Sequence, residues 1–281
     1  GSYIVKAAQA FRPFVLDMFE PQDHPNDFLY AGGPPVAPYD SAGWTIAYQM
    51  GVKFDRVLDG FDGPFERLPW GQQQNPPAGT AGTGTGGWLV SHRANNSFIL
   101  LNRLLKAGAD VYWLKTPPAG HPGFGAGSLY IPASESAKPI VAKAAAELGL
   151  EATAVTLKCV GDALKLAPTR IALWDQYGGS MPSGWTRWLL EQFEFPFEVV
   201  YPQQIDAGNL RAKYDVIVFV NGAIPLPKSI GAPSPRQSEY FVKVPTGDDL
   251  PAAYRGWTGS ITEEKSIPAL RQFTEQGGSI V

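Results

Sequence analysis

The sequence predicts an α/β protein in which two alternating strand–helix units follow an irregular segment. Short, continuously apolar runs such as 215–220 are typical of strands in a sheet that is covered on both faces. Between these runs, apolar residues recur at the 3.6-residue spacing of amphipathic helices. Glycine and proline, 31 and 26 of the 281 residues, concentrate in 21–87, 116–127 and 221–257, which indicates long connections. With 44 % hydrophobic residues, the chain is not expected to be disordered.

Residues 3–86 are expected to form an irregular segment that packs on the two α/β units. Glycine and proline interrupt this segment too often for long helices or strands. Phe11, Phe14 and Phe19 recur at near-helical spacing, so we expect them to bury one face of a short helix. The many aromatic side chains of the segment favour packing over a free tail.

The end of that segment, residues 80–87 with the sequence TAGTGTGG, superficially matches a phosphate-binding loop. Such loops follow a strand and open a helix, so that the phosphate meets free backbone N–H groups. Here the glycines precede a strand, and no lysine followed by serine or threonine comes after them. We therefore interpret the stretch as a flexible linker or a hairpin.

The first α/β unit is predicted over residues 87–165. Its strands are expected at 88–91, 110–114, 128–131 and 152–157. Two amphipathic helices lie between them, one ending at Gly108 and the other at Gly149, since glycine commonly terminates helices. Strand–helix–strand order with short loops favours right-handed crossovers, so we expect a mostly parallel sheet.

The second α/β unit is predicted over residues 169–281. Strands are expected at 170–174, 197–201 and 215–220, and helices at 185–194 and 261–276. This order is typical of a doubly wound, flavodoxin-like fold. The last three residues, 279–281, read as the start of a further strand. We therefore expect a truncated unit within a longer protein.

Charge and composition exclude several classes of function. Lys and Arg number 23 against 26 Asp and Glu, a net charge of −3, which lacks the basic excess of a nucleic-acid-binding protein. No apolar run approaches the roughly 20 residues of a membrane span. The single cysteine, Cys159, excludes an internal disulfide and a thiolate metal cluster, and we interpret it as a buried thiol.

The pattern of metal-ligating residues predicts no metal site. The three histidines, His24, His92 and His121, do not have the four-residue spacing that places two imidazoles on one helical face. Mixed ligands could in principle come from Asp23, His24, Asp27 and Asp40, but these residues lie in a proline-rich stretch with no metal-ligand spacing. We predict no cofactor and no catalytic residue in this chain.

The most promising binding site is the loop 176–184, which follows the first strand of the second unit and precedes a helix. Open α/β sheets place their ligand sites at such positions. The glycine pair would let the backbone approach a neighbour closely, and Ser183 would cap the helix next to an anionic ligand. His92 also follows a strand and is a candidate to face a cleft. The predicted ligand-binding residues are Tyr177, Gly178, Gly179, Ser180, Ser183 and His92. A plain strand-to-helix turn remains the alternative.

Two sets of motifs carry a family resemblance. The first lies along residues 8–52 and comprises AQAFRP, MFEPQ, GGPP, PYDSAGWT and QMGV. It is similar to a region of large bacterial secreted proteins that carry an N-terminal zinc carboxypeptidase domain of the carboxypeptidase A-like type. The second comprises MPSGWTRWLLEQ (181–192), NLR (209–211) and YDVI (214–217). It resembles the C-terminal region of those proteins, which is similar in fold to class I glutamine amidotransferases.

The resemblance implies that a zinc peptidase domain precedes residue 3 and that the protein is secreted or periplasmic. The zinc motif of that domain, His-x-x-Glu with a distant His, has no match here, so no catalytic residue is carried over. An amidotransferase-like fold would place its nucleophilic cysteine after the strand that begins at Ser279, where this sequence ends.

The expected function is therefore that of a non-catalytic accessory or binding region, with a peptide or glycan as ligand and the upstream peptidase domain as partner. The alternative is a hydrolase or amidotransferase-like enzyme, with His92 or a carboxylate pointing into a pocket at the loop 176–184. A third possibility is a carbohydrate-binding face that includes Trp70, Trp185 and Trp257. Since Trp185 and Trp188 are three residues apart on one helix, we expect them to bury together.

Overall fold

The computed structural model describes residues 2–21, 26–36, 45–72, 74–156, 162–224 and 250–281. The chain divides into two compact units, Gly1–Gln73 and Gln74–Val281, and the second contains both α/β units expected from the sequence. Across the described ranges, no helix has the length and apolar character needed to cross a membrane.

The fold is mixed α/β, as predicted. The helices of the described residues are α1 (Arg12–Phe19), α2 (Ile46–Gln49), α3 (Asn96–Lys106), α4 (Ala137–Leu148), α5 (Met181–Gln192), α6 (Pro202–Asp206), α7 (Leu210–Lys213), a 3₁₀ helix (Ala252–Trp257) and α8 (Ser266–Glu275). The strands are β1 (Gly87–Val90), β2 (Tyr112–Leu114), β3 (Leu129–Pro132), β4 (Ala152–Val155), β5 (Ala163–Lys165), β6 (Ile171–Trp174), β7 (Phe197–Val200), β8 (Val216–Val218) and β9 (Ser279–Ile280).

The first unit contains little regular structure. Its helix α1 has no buried residue, and Phe11 and Phe14 are 57 % and 63 % exposed. The prediction that one helix face is buried is therefore wrong for Phe11 and Phe14, whereas Phe19 is half-buried. The eight-residue helix instead makes its aromatic contact at its end, where Phe19 packs edge-on against Phe54 with the ring centroids 5.3 Å apart.

The sheet of the first α/β unit is antiparallel, in the order β4-β1-β3-β2-β5. The predicted parallel pairing is wrong here because β2 returns to β3 through the helix-free residues 115–128. Strand β3 then lies between β1 and β2, which run in the same direction without touching. The element order β-α-β-β-α-β in this sheet is the split β-α-β, or ferredoxin-like, arrangement.

Both helices of this unit pack on one face of the antiparallel sheet. Leu100 and Leu104 of α3 and Val141 of α4 form one buried cluster with Trp88 and Val90 of β1. Each of these side chains is at most 5 % exposed. Burial of this apolar surface is the main source of stability for the unit.

Among the described residues, the opposite face of the antiparallel sheet is covered by side chains of strands and of the β2–β3 connection. Leu89 and Tyr130 are buried there together with Leu114, and Phe124 of the long β2–β3 connection packs against them. The Tyr130 hydroxyl donates a hydrogen bond to the carbonyl oxygen of Gly86 at 2.7 Å, so its polar end is satisfied.

The glycine-rich stretch 80–87 lies along β4 and is neither a free linker nor a hairpin. The Gly82 amide donates to Ala152 O at 3.0 Å, and the Ala152 amide donates to Thr80 O at 2.9 Å. A Cβ atom on Gly87 would lie 2.1 Å from the carbonyl oxygen of Ile131, and the φ of Gly87 is +128°. Glycine is thus required here by close backbone packing rather than by flexibility.

The sheet of the second α/β unit is parallel, as predicted, in the order β7-β6-β8-β9. Side chains of α6, α7 and α8 bury one face; they include Ile205, Leu210 and Phe273. Helix α5 begins at Met181, four residues before its predicted start, because Pro182 is tolerated in a first helical turn. The predicted turn 206–208 is flanked by the short helices α6 and α7.

An arginine–aspartate cluster fixes the amino ends of β6 and β8. The Asp215 carboxylate accepts hydrogen bonds from the Arg170 backbone amide at 2.9 Å and from its guanidinium at 2.8 and 3.0 Å. Arg211 donates to the same carboxylate. These donors, Arg170 above all, hold the pKa of Asp215 far below its usual range.

A second cluster joins the two α/β units. Arg103 of α3 donates to both carboxylate oxygens of Glu194 and, at 2.9 Å, to Glu147 of α4. Asn102, 8 % exposed, donates to the carbonyl oxygen of Phe193 at 2.8 Å. The hydrogen bond from Arg103 lowers the pKa of Glu194 and raises that of Arg103. The residues that end α5 are therefore fixed to α3.

The contacts at Gly87 predict a large effect of a single methyl group. We expect Gly87→Ala to lower the free energy of unfolding by about 2–4 kcal/mol, because the backbone must move away from Ile131. Gly184→Ala is the control, since α5 leaves open space at that position. It is expected to stabilise the chain by about 0.5–1 kcal/mol. Urea unfolding of both variants measures this difference, and equal effects would refute the packing argument.

The Asp215 cluster predicts a specific sensitivity to acid. A carboxyl whose pKa is lowered by folding stabilises the fold above its unfolded pKa of about 4, and this stability is lost as pH falls below that value. We expect Asp215→Asn to cost about 1–3 kcal/mol at pH 7 and progressively less at lower pH. Asp110→Asn, which removes one exposed ion pair with Lys165, is the control and should have little effect at any pH, because solvent screens that pair. Urea unfolding curves across this pH range provide the measurement.

Candidate functional site

The candidate site lies at the carboxyl end of the parallel sheet, where β6 runs into the loop before α5. The Asp175 amide donates to Val200 O at 2.9 Å and so extends the pairing of β6 with β7 by one residue. The chain then turns through Gly178 and Gly179, whose φ angles of +88° and +80° favour glycine. Carboxyl ends of parallel strands are the usual ligand positions in open α/β sheets.

The two glycines serve the turn and not a close contact. A Cβ atom on Gly178 or Gly179 would meet nothing within 4 Å. The prediction that they allow the backbone to approach a neighbour closely is therefore wrong. The space beside the loop is open, and the loop backbone is accessible from it.

The two serines of the loop have different surroundings. Ser180 occupies the position before α5 and is half-buried, and its side chain makes no capping hydrogen bond. Ser183, predicted to cap the helix, lies inside it and is 2 % exposed. Its hydroxyl donates to Trp174 O at 2.9 Å, which ties the first turn of α5 to the end of β6.

An aromatic wall stands beside the loop; we use this name for Tyr177, Tyr201, Tyr254 and Trp257. Tyr201 and Trp257 are stacked, with ring centroids 4.7 Å apart and an interplanar angle of 7°. Tyr254 is edge-on to Trp257 at 4.9 Å and to Tyr177 at 6.3 Å. The last two rings of the wall keep exposed surface, 41 % for Tyr254 and 38 % for Trp257.

Backbone contacts hold the wall to the sheet. The Tyr177 amide donates to Trp257 O at 3.1 Å. The side-chain amide of Gln203 in α6 donates to Arg255 O at 2.7 Å and to the Thr258 hydroxyl at 2.8 Å. The 3₁₀ helix that carries Tyr254 and Trp257 is thus fixed to both the loop and α6.

Asp175 contributes the carboxyl group of the site. Burial raises the pKa of this carboxyl, although the backbone amides of Gln176 and Ser180 and the charge of Arg187 act in the opposite direction. Burial and the nearby Asp175 charge together raise the pKa of the Tyr201 hydroxyl. The charge of a half-buried carboxylate at a strand end therefore acts on one ring of the aromatic wall, that of Tyr201.

No hydrogen bond among the described residues links His92 to this site. His92 follows β1 of the antiparallel sheet, and its ring lies beside Gly127. Its Nδ1 atom is buried and has no hydrogen-bond partner among the described residues. Of the predicted ligand residues, Tyr177, Gly178, Gly179, Ser180 and Ser183 share the loop, and His92 belongs to the other sheet.

Several sequence predictions concern residues outside the described part of the chain. They are the buried thiol of Cys159 and the prediction that Asp23, His24 and Asp40 form no metal site. Within the described ranges, no group of three or more His, Cys, Asp and Glu side chains could hold a metal ion.

Four features of the site were not predicted from the sequence: Asp175, Tyr201, Tyr254 and the contact of Trp257 with the loop. Asp175 had a usable signal, because it directly follows a strand at the edge where ligands bind. The aromatic wall had none, since its rings come from three separate segments.

No family model, curated protein or solved structure matches the chain.

The raised pKa of Asp175 predicts that its contribution to folding stability depends on pH in the direction opposite to that of Asp215. Because folding raises the pKa of Asp175, stability is lost as pH rises from the unfolded pKa through the folded one. Asp175→Asn removes this titration, so we expect its stability relative to the parent chain to increase between pH 4 and pH 7. Urea unfolding at both pH values tests this, with Asp215→Asn as the control: because Asp215 titrates below about pH 4, the effect of that variant should change little between the two pH values. A difference that is constant or falls with pH would contradict it.

Proposed function

We propose that this chain is a non-catalytic binding region whose ligand site is the carboxyl edge of the parallel sheet. The observation that carries the proposal is the aromatic wall beside an open, double-glycine loop. Exposed aromatic rings next to polar groups suit ligands that have both apolar faces and hydrogen-bonding groups, such as glycans and peptides. A glycan is the better match, because its C–H groups suit the exposed parts of the Tyr254 and Trp257 rings and its hydroxyl groups can donate to the Asp175 carboxylate.

The strand order supports the position of the site. Counting from β6, the order β7-β6-β8-β9 corresponds to 2-1-3-4, the beginning of the flavodoxin-like order 2-1-3-4-5. In that arrangement the ligand crevice lies between the first and third strands, beside the loop that follows β6. The flavodoxin-like, amidotransferase-like description of this unit is part of the proposal.

The larger context rests on the family resemblance alone. We propose that the chain belongs to a secreted or periplasmic zinc carboxypeptidase-like protein, with the peptidase domain upstream as its partner. In this view the region supports that domain or holds a ligand near it, and the parent protein carries the hydrolase activity. The motif blocks in 8–52 and 181–217 support this assignment.

An enzyme acting through the loop 176–184 is the second candidate, and Asp175 is the observation that favours it. A half-buried carboxyl with a raised pKa is a common feature of general acids and bases. The hydrogen bonds to the Asp175 carboxylate in the described residues come from backbone amides, Gln176 at 2.8 Å among them. A partner that would make it a dyad is not among them, which favours binding over catalysis.

The proposal predicts that the wall carries the binding energy. We expect an oligosaccharide array to give hits with the full chain, and Trp257→Ala or Tyr254→Ala to weaken these hits by about tenfold or more. Trp185→Ala, which removes an exposed tryptophan of α5 that is not part of the wall, is the control and should bind normally. Quenching of tryptophan fluorescence gives the affinities, and circular dichroism checks the fold.

Three results would contradict the proposed function. They are the absence of hits on both a glycan and a peptide array, equal affinities of the Trp257 and Trp185 variants, and hydrolysis of a bound glycan or peptide that Asp175→Asn abolishes. The last result would establish the second candidate instead.

A further inference from the structure

The Asp175 carboxylate bonds both ends of the loop between β6 and α5. It accepts a hydrogen bond from the Gln176 amide at 2.8 Å and another from the Ser180 amide. Gln176 begins the loop, and Ser180 stands directly before the first residue of α5. The same carboxylate therefore closes the loop 176–180 onto the end of its strand.

Two glycines between these bonds form a hinge. Gly178 and Gly179 have φ angles of +88° and +80°, and a Cβ atom on either would have no neighbour within 4 Å. Glycine changes its φ and ψ at low cost, and no packed side chain holds this pair in place. Inside the loop, the Gly179 amide donates to Gln176 O at 2.9 Å. Hydrogen bonds rather than packing therefore determine the shape of the loop.

Protonation of Asp175 weakens the two bonds that close the loop. A hydrogen bond from an amide to an ionised carboxylate is about twice as strong as one between neutral groups, and the added proton turns one oxygen into a donor. Burial raises the pKa of this carboxyl, although the two amides and the Arg187 charge lower it. The proton is therefore taken up in mild acid, above the value of about 4 of an ordinary aspartate.

Helix α5 contributes one charge that acts on Asp175, the guanidinium of Arg187. Arg187 also pairs with Glu191, with Nε 3.0 Å from Oε1, and these two are the ionisable side chains of the helix. The neighbouring Trp185 and Trp188 are exposed, and their rings meet edge-on with centroids 5.9 Å apart. The prediction that the two tryptophans bury together is therefore correct only for their mutual contact.

The other elements around Asp175 carry tyrosines and an arginine. These side chains lie in the loop, after β7 and on the 3₁₀ helix, and they are Tyr177, Tyr201, Tyr254 and Arg255. Tyrosine and arginine keep one protonation state between about pH 4 and pH 7. Among the described residues of these elements and of α5, Asp175 and Glu191 are therefore the groups that can gain a proton in this range.

We propose that Asp175 is a pH-sensitive switch of the loop 176–180, which is closed when the carboxyl is ionised and released when it is protonated. The Tyr177 amide donates to Trp257 O at 3.1 Å, so the loop and the aromatic wall are connected. Release of the loop therefore loosens one border of the ligand site. That consequence rests on the proposed function: a ligand held between loop and wall is released in mild acid.

An NMR titration of the ligand-free full chain between about pH 7 and pH 4 tests the switch. We expect the Gln176 and Ser180 amide signals to shift together with the Asp175 carboxyl carbon, with one midpoint above about pH 4. Hydrogen-exchange protection of both amides, corrected for the intrinsic effect of pH, should fall by about tenfold or more. The Asp175 amide, bonded to Val200 O at 2.9 Å, is the internal control and should stay protected.

Two variants assign the titration to a single carboxyl. In Asp175→Asn, the Gln176 and Ser180 amides should show low protection that no longer changes with pH. Glu191→Gln is the matched control, because it removes the other carboxyl in contact with Arg187 and leaves the loop intact. It should keep the titration of the loop amides. Circular dichroism at each pH shows that the chain stays folded.

The switch is overturned if the two amides do not titrate, or if their midpoint lies at or below about pH 4. It is also overturned if their titration persists in Asp175→Asn or disappears in Glu191→Gln. The first two results need only the parent chain, so they decide the proposal even where a variant does not fold. Absence of array hits rejects the ligand site and leaves the switch in place, whereas a loop that does not titrate rejects the switch alone.

Discussion

The anchoring of α5 at both ends is the constraint on which the rest of the second compact unit depends. Ser183 binds the helix to the end of β6, and Arg103 binds the turn after the helix through Glu194. The first contact determines where the loop before α5 must turn, and the second connects the parallel sheet to the antiparallel one. Because the anchors are polar, the helix directs small polar residues inward and its tryptophans outward.

The candidate site is built on this frame from segments that are distant in sequence. The loop after β6 supplies an open backbone and the half-buried Asp175, while the residue after β7 and the 3₁₀ helix supply stacked rings. Hydrogen bonds from backbone groups and from Gln203 hold the loop and the aromatic wall in place. Exposed ring edges and the Asp175 carboxyl group therefore stay available for a ligand. Such a division between supporting and available groups is typical of binding surfaces.

Periodicity and element order predicted the helices α3, α4 and α5 and the parallel sheet, because these features are determined by local spacing and short crossovers. They did not predict the antiparallel sheet, since its register depends on where the long β2–β3 connection returns the chain. The loop 176–184 was predictable from its place after a strand. The aromatic wall could not be predicted, because the stacking of Tyr201 on Trp257 depends on tertiary packing. The residues adjacent to either ring in the sequence do not indicate it.

The glycine-rich stretch beside β4 also has a consequence for solubility. The outer strand of a sheet presents unpaired amides and carbonyls, which recruit strands from other molecules. Here residues 80–86 lie along β4 and bond the amide and the carbonyl of Ala152 and the carbonyl of Val155, and a strip with so few side chains is itself a poor template for a further strand. Loss of this strip would therefore do more than loosen the fold. It would also expose unpaired backbone groups of β4 to strands of other molecules. We therefore expect loss of this segment to cause aggregation as well as unfolding.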